Sequence, residues 1–444
     1  MRNTAICFVF YLLFFSCSPD RTVQISGRME NGDSIVSIWA EDSIYNFPVD
    51  ENRFFSGKVK MTRSGYATLL HNSLNLYLSP GEDLEIYMDA LNFSGSLYFR
   101  GSLGGMNNYL KEQEVAVFFD KRDYELGEKE FVGKMKRLIS EKMQLLEAKN
   151  FDPAFTRLER ERICYSIADW MLYYPFYRQM TLQEEYVPGP DLTDFLSSFS
   201  LNNDELFGSK DYRSFLLNYV WFQRVDWNDN RRMSSFDGVL NYVLATVTNP
   251  AIKDFLLMEI VYRSIWENNG LDGADYLLSV FRRECSDRKK VAYMEEIIGQ
   301  WERIVPGKPA PDFELADRQG RKIVLKDFSG SYLYVMVWAT WCMPCKSEFS
   351  YLGWLQRKYN GRNIRFLTVA IDAPEHKAKW REFMDGHPCA GVHAFADSEN
   401  NFNKNYMIIS VPRFIFIAPD GTIIDSNAPR PSGQILQYFE ALNI

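Results

Sequence analysis

The chain has 444 residues, a length that predicts two or three domains. It is 46% hydrophobic and 24% charged, a composition typical of a globular protein with a large core. The net charge of −8 and the lack of a clustered Lys/Arg run argue against a nucleic-acid-binding protein.

The N-terminal residues have the pattern of an export signal. One positive charge at Arg2 precedes an apolar stretch at 5–15 that is too short to span a bilayer comfortably. Ser16-Cys17 follows and resembles the lipobox of bacterial lipoproteins, in which the cysteine becomes the acylated N-terminus. We therefore expect residues 1–17 to be a signal peptide with lipidation at Cys17, and a membrane-anchored protein that faces the periplasm. Ordinary signal cleavage and a retained anchor are the alternatives.

Short apolar runs with turn residues between them predict β structure in residues 20–104. Asn31-Gly32 separates two such runs and predicts a hairpin, because both positions favour a positive φ. In residues 83–89 every second residue is apolar, which is typical of a half-buried strand. We expect a small β-sandwich, and the segment "LYLSPGEDLEIYMD" resembles N-terminal β domains of some envelope lipoproteins.

Residues 105–305 change to a helical period, with apolar residues three and four positions apart. Prolines at 175, 188, 190 and 250 divide the region into several helices, and Asn268-Asn269-Gly270 closes one of them. We expect a central α-helical domain whose Trp and Tyr residues are core. The sequence indicates no function for it.

The Pro-rich segment "PGKPAP" at 306–311 predicts a stiff joint before a C-terminal domain, 306–444. The pattern then alternates strand and helix, the order of a thioredoxin-like α/β domain. The predicted elements are a buried strand at 332–338, a helix at 342–359, a strand at 364–371, a helix at 377–384, hairpin strands at 413–418 and 422–426, and a helix at 434–442.

Two segments of this domain carry a family resemblance. "PAPDFELADRQGRKIVLKDFSG" and "VWATWCMPCKSEF" resemble the TlpA/ResA branch of membrane-tethered thioredoxin-like oxidoreductases, over about the last third of the chain. The resemblance implies reduction or exchange of protein disulfides in the cell envelope. It also implies electrons from a membrane-embedded thiol carrier, and no cofactor beyond a redox-active Cys342–Cys345 disulfide.

The residues themselves indicate the same chemistry. Cys342 is predicted at the N-terminus of a helix, where free backbone N–H groups and the helix dipole favour a thiolate. Cys345, one turn further on, is expected to be shielded and to resolve the mixed disulfide. A zinc half-site is the alternative for the pair, but the sequence has no second CxxC or spaced Cys/His pair to complete four ligands.

Glu348 lies three residues after Cys345, on the same predicted helix face. The resemblance implies a functional glutamate here, which could take the proton of the resolving thiol. An exposed first-turn glutamate, favoured by the helix dipole alone, is the alternative. Thioredoxin has a buried Asp on the preceding strand, but the matching residue here is Met336, which leaves Glu348 as the expected proton acceptor.

Val411-Pro412 resembles the pair whose proline is cis in this fold, at the position where a substrate peptide pairs with the backbone like an added strand. An ordinary trans proline at a strand start is the alternative. Trp341, beside the motif, is expected to contact the substrate, although a purely packing role is open.

The remaining cysteines and histidines suggest no further site. Cys164 and Cys285 are expected to be separately buried, with a bridge between them as the alternative. His387, Cys389 and His393 match no metal-ligand spacing, so we expect a polar loop and no metal site.

We therefore predict an enzyme, a thiol–disulfide oxidoreductase that reduces protein disulfides and serves cytochrome c maturation or general envelope redox homeostasis. A peroxiredoxin-like peroxidase is one alternative, but it needs a threonine three residues before the reactive cysteine, and Ala339 is there. A lipid-anchored binding module with an accessory redox domain is the other.

Overall fold

The computed structural model describes residues 21–115, 120–223, 225–226, 232–233, 235–387, 390–397, 400–442 and Ile444. Its contacts divide the chain into two compact units, Met1–Ile252 and Lys253–Ile444. Within the described ranges, no helix combines the length and the apolar character needed to cross a bilayer. The predicted signal segment and Cys17 lie outside the described residues.

The first unit begins with β structure, as the alternating pattern predicts. Its strands are β1 (Thr22–Glu30), β2 (Ile35–Ala40), β3 (Ser43–Pro48), β4 (Phe54–Lys60), β5 (Gly65–Leu69), β6 (Leu74–Leu78), β7 (Asp83–Asp89) and β8 (Tyr98–Arg100). They form two four-stranded sheets, ordered β4-β1-β7-β8 and β3-β2-β5-β6. Leu84, Ile86 and Met88 of β7 are buried and alternate with half-buried residues, so the predicted half-buried strand is confirmed.

The hairpin predicted at Asn31-Gly32 is wrong. Asn31 has a φ of +51°, so the chain turns there. However, β1 pairs with β4 and β7, whereas β2 pairs with β3 and β5. Both edges of β1 are occupied by later strands, and the turn connects two different sheets. Residues that favour a positive φ locate a turn but do not identify the partner of a strand.

Helices follow the sheets, as the change of period predicts. They are α1 (Phe93–Ser96, before β8), α2 (Gly104–Val115), α3 (Glu128–Glu147), α4 (Pro153–Leu172), α5 (Tyr174–Met180), α6 (Pro190–Ser197), α7 (Lys210–Phe222), α8 (Phe236–Thr246) and α9 (Pro250–Asn268), with short strands β9 (Val225–Asp226) and β10 (Arg232–Met233) before α8. Pro190 and Pro250 begin α6 and α9, and Pro175 lies in the first turn of α5. Proline is tolerated there because the first helical N–H groups have no partner within the helix.

The predicted boundary at 104/105 falls inside the first unit, because helices pack against the strands. The Tyr66 hydroxyl of β5 donates to Glu159 of α4 at 2.6 Å, and Arg162 pairs with the same carboxylate at 2.7 Å. All three residues are buried. A buried polar network is favourable only when every member has its partners. Because separating β5 from α4 would leave buried polar groups without partners, the network holds the sheet and the helix together.

The second unit contains α9 from Lys253 onward and one seven-stranded sheet, ordered β12-β11-β15-β14-β13-β16-β17. Its further strands are β11 (Glu314–Asp317), β12 (Lys322–Val324), β13 (Tyr332–Trp338), β14 (Ile364–Ile371), β15 (Val392–Ala396), β16 (Arg413–Ile417) and β17 (Ile423–Asp425). Its further helices are α10 (Asp275–Glu284), α11 (Arg288–Trp301), α12 (Met343–Lys358), α13 (Lys377–Gly386), α14 (Phe402–Asn405) and α15 (Ile435–Ala441). The boundary predicted at 305/306 therefore falls inside this unit, after α11.

The elements predicted for the C-terminal domain are confirmed, and β13 is its central strand. This strand runs parallel to β14 and antiparallel to β16, and six of its seven residues are buried. A continuous apolar run suits such a strand because both of its faces are covered. Three shorter strands, β11, β12 and β15, were not predicted. The polar loop expected around His393 is wrong at that residue, which lies on β15.

Candidate functional site

The CxxC pair lies where the central strand passes into a helix. After β13 ends at Trp338, the Cys342 N–H donates to Ala339 O at 3.0 Å, and Cys342 becomes the N-cap of α12. Its sulfur accepts the Cys345 N–H at 3.2 Å. Cys342 and Cys345 form a disulfide. When the pair is reduced, the same N–H group and the positive end of the helix dipole stabilise a thiolate at Cys342.

The two sulfur-bearing residues differ in access to solvent. Cys345 is fully buried, whereas Cys342 retains 4% of its surface. The neighbouring side chains, Trp341 and Met343, are each 67% exposed. Cys342 is thus the cysteine of the pair that keeps some exposed surface, and the residues next to it in the chain are both large, apolar and exposed. The expectation that Trp341 contacts the substrate is compatible with this exposure and stays a prediction.

Glu348 is buried, so the alternative of an exposed first-turn glutamate is wrong. The side chain accepts the Ser432 N–H at 3.0 Å and the Ser432 hydroxyl at 2.7 Å. Arg430, which is more than half exposed, lies 3.9 Å away. Burial and then the negative charge of Glu348 raise the pKa of Tyr334 on β13. The carboxylate is thus fixed one helical turn after Cys345 by two hydrogen bonds from Ser432.

Asp372 is a second buried carboxylate near the motif that sequence reasoning missed. It follows β14 directly and accepts the Thr340 N–H and the Thr340 hydroxyl, each at 2.9 Å. Thr340 lies two residues before Cys342, so these bonds fix the turn that carries the motif. The sequence signal that could have revealed Asp372 was its position directly after a predicted strand. The carboxyl ends of the parallel neighbours β13 and β14 meet at one edge of the sheet, so a residue just after β14 lies near the motif that follows β13. Glu348 is therefore not the sole buried carboxylate in this region.

Val411-Pro412 directly precedes β16, the strand that pairs with β13. Its peptide bond is cis, as the resemblance implies. Val411 packs against the core cluster that contains Cys342 and Cys345, and Arg413 is paired with Val337 of β13. The two cysteines thus lie in one core cluster, against which Val411 packs, while Glu348 lies one turn after Cys345 on α12 and Trp341 directly precedes Cys342 in the chain.

The other described cysteines are poor nucleophiles. Cys164 and Cys285 are both unpaired thiols, and burial raises the pKa of each to about 11. They therefore remain protonated at neutral pH, whereas exchange requires a thiolate. The bridge considered between them is absent. Cys389, like Cys17, lies outside the described residues.

The histidines considered as ligands have other partners. His393 Nδ1 is 2.9 Å from the Thr368 hydroxyl. The His387 ring stacks on Phe383, and its Nδ1 is 3.0 Å from the Phe383 carbonyl oxygen.

Comparison with known proteins places the chain in a family. The model of the AhpC/TSA family matches residues 306–426. The thiol-disulfide oxidoreductase ResA of Bacillus thuringiensis is 33% identical over 142 residues, which are 32% of this chain and 80% of that protein. ResA of Bacillus subtilis is 30% identical over 125 residues, 28% of this chain and 67% of that protein.

Solved structures are similar over the same share of the chain. A crystal structure of a Bacteroides vulgatus protein assigned as a thiol-disulfide oxidoreductase is 33% identical and covers 32% of this chain and 99% of its own. The TM-score is 0.30. The match to ResA of Bacillus thuringiensis covers 80% of that protein's length. Together with the Cys342–Cys345 disulfide, this match shows that the chain belongs to the ResA family of thiol-disulfide oxidoreductases.

Proposed function

We propose that this protein reduces disulfides of other proteins, with Cys342 as the attacking thiol and Cys345 as the resolving thiol. The observation that carries the proposal is the difference in access at the start of α12, where Cys342 is the helix cap and Cys345 has no exposed surface. The Cys342 thiolate attacks one sulfur of a substrate disulfide and releases the other as a thiolate. Cys345 then attacks the Cys342 sulfur, which releases the second substrate thiolate and leaves the Cys342–Cys345 disulfide.

Glu348 supplies the proton transfer in the second step. The Cys345 thiol must lose its proton before it can attack, and it is fully buried, so water cannot accept this proton directly. The Glu348 carboxylate, one turn along α12, accepts it, and the proton then leaves with the departing substrate thiolate. Trp341 and the Val411 backbone hold the substrate segment. No cofactor takes part, and a dithiol of a membrane thiol carrier reduces the enzyme disulfide for the next cycle.

The same proposal includes a location outside the inner membrane. The charge at Arg2, the short apolar stretch at 5–15 and Ser16-Cys17 support export and lipidation at Cys17. A tethered reductase that faces the periplasm would serve cytochrome c maturation or general envelope redox homeostasis.

The residues before the redox domain are proposed to form a β-sandwich followed by a helical domain. The two N-terminal sheets contact each other through aromatic residues: Phe47 of β3 and Phe55 of β4 belong to different sheets, and their ring centroids are 6.4 Å apart. Packing of two inner faces through such side chains is the basis of a sandwich core.

Mixing the reduced protein with insulin tests the proposed activity. The parent protein and a Cys164→Ser control should each transfer one dithiol equivalent to insulin and become oxidised at Cys342–Cys345. A Cys342→Ser variant should transfer none. Replacing insulin by hydrogen peroxide tests the peroxidase alternative. Faster oxidation of Cys342 and Cys345 by peroxide than by insulin would overturn the proposal. A parent protein that reacts with neither would favour the binding module.

A further inference from the structure

The 410–413 loop connects the redox site to a more distant part of the second unit. Val411 packs against the cluster that contains Cys342 and Cys345. Arg413 begins β16 and is paired with Val337, one residue before the end of β13. A displacement of this loop would therefore move Val411, whose backbone is proposed above to hold the substrate.

Arg413 is almost completely buried, with 1% of its surface exposed. A buried guanidinium is costly unless its donors are satisfied, and burial accordingly lowers the pKa of Arg413 to about 10. Its Nε donates to Ser426 O at 2.6 Å, and its Nη2 donates to Asn269 O at 3.0 Å. The guanidinium carbon lies 5.5 Å from the centre of the Trp301 ring. Asn269 and Trp301 belong to the helical segment 253–304, which precedes the Pro-rich joint.

Asn269 also contacts the other side of the loop. Its side-chain Oδ1 accepts the Ser410 hydroxyl at 3.1 Å. The neighbouring Asn268 carbonyl accepts Asn427 Nδ2 at 3.1 Å, after β17. One turn at the end of α9 is thus bonded to residues on both sides of Val411-Pro412.

The residue type at 269 suits this position. Asn269 has a φ of +50°, in the left-handed region that asparagine tolerates better than most side chains. It therefore ends α9 and at the same time presents both an amide oxygen and a carbonyl oxygen to the 410–413 loop. Glycine would allow the same backbone conformation but would lose the side-chain acceptor. A glycine variant therefore tests the hydrogen bond to Ser410 separately from the backbone conformation.

We propose that Asn269 is a positioning residue for the exchange reaction, which fixes the 410–413 loop so that a protein disulfide can align with Cys342. The inference rests on the proposed function, and it gives the helical segment 253–304 a role in substrate recognition. A small disulfide needs only access to the sulfur, so it should be insensitive to this contact. A protein substrate must also pair with the loop.

Kinetics of Asn269→Gly against two substrates test the proposal. Loss of one hydrogen bond of about 1 kcal/mol corresponds to about a fivefold effect, so kcat/KM for insulin should fall about fivefold, mainly through KM. The rate with hydroxyethyl disulfide should stay within about twofold of the parent. Asn269→Asp keeps an acceptor for Ser410 and should restore the insulin rate. Asn150→Gly is the matched control, because Asn150 also has a positive φ after a helix and lies in the first unit.

Amide hydrogen exchange gives a readout that does not depend on activity. Exchange at the Arg413 amide, which lies in the β13–β16 ladder, should accelerate in Asn269→Gly and remain unchanged in Asn150→Gly. Unchanged exchange at this amide would overturn the inference, and so would an equal loss of rate with insulin and hydroxyethyl disulfide. If the parent reduces no disulfide, the proposed function fails, while exchange still decides whether Asn269 fixes the loop.

Discussion

Replacing Glu348 by glutamine removes the proposed proton acceptor and changes little else. The side chains have the same shape, and the Gln oxygen can still accept the Ser432 N–H, whose distance to the carboxylate is 3.0 Å. The Ser432 hydroxyl, at 2.7 Å, can rotate and accept from the new amide. We therefore expect a loss of stability of about 1 kcal/mol or less. A missing general base costs about 100-fold or more, so attack by Cys345 should slow by about that factor.

The two steps can be measured separately by rapid mixing with insulin and acid quenching. In Glu348→Gln, the first attack by Cys342 should keep its rate, and the mixed disulfide should accumulate because it decays slowly. Ser432→Ala is the control, since it removes a hydrogen-bond donor and leaves the carboxylate. Equal decay rates for Glu348→Gln and the parent across neutral pH would refute the role. Slow decay in Asp372→Asn alone would assign the proton transfer to Asp372.

Three further predictions concern stability and location. Thr340→Val removes one donor from the buried Asp372 carboxylate and should lower the free energy of unfolding by about 1–3 kcal/mol, measured by urea titration. Burial raises the pKa of Asp169 to about 6, so the folded protein retains a proton that the unfolded chain releases near pH 4. Stability should therefore fall as pH rises from about 4 to about 6, and Asp169→Asn should flatten this dependence; an unchanged slope would contradict the assignment. Cys17→Ala should lose membrane partition in cell fractionation, whereas a variant that stays membrane-bound and unprocessed would indicate a retained anchor.

Local patterns were sufficient to predict the elements that carry the redox site. The continuous apolar run at 332–338 predicted the buried strand β13. The helical pattern after it predicted Cys342 at the start of the next helix. Glu348 could be assigned to the same helix as Cys345 from their spacing. Its burial could not be predicted, because it depends on Ser432, 84 residues further along the chain.

Long-range contacts account for what the sequence did not predict. The turn at Asn31 was evident, but the strand partners of β1 begin at Phe54 and Asp83. Asn269 was identified as a helix end, while its bonds to Ser410 and Arg413 span 141 and 144 residues. The predicted boundary after residue 305 followed from the prolines, which mark a break in the helix. They give no sign that Asn269, just after α9, and Trp301, at the end of α11, both contact Arg413 beyond the joint.

Trapping of mixed disulfides tests the division of roles between Cys342 and Cys345 most directly. Reduced Cys345→Ser and Cys342→Ser variants are each mixed with a disulfide-bonded protein, alkylated, and mapped by mass spectrometry. The account predicts that Cys345→Ser accumulates a covalent complex through Cys342 that dithiothreitol releases, and that Cys342→Ser forms little, because its remaining thiol has no exposed surface. Complexes formed mainly by Cys342→Ser through Cys345 would contradict it.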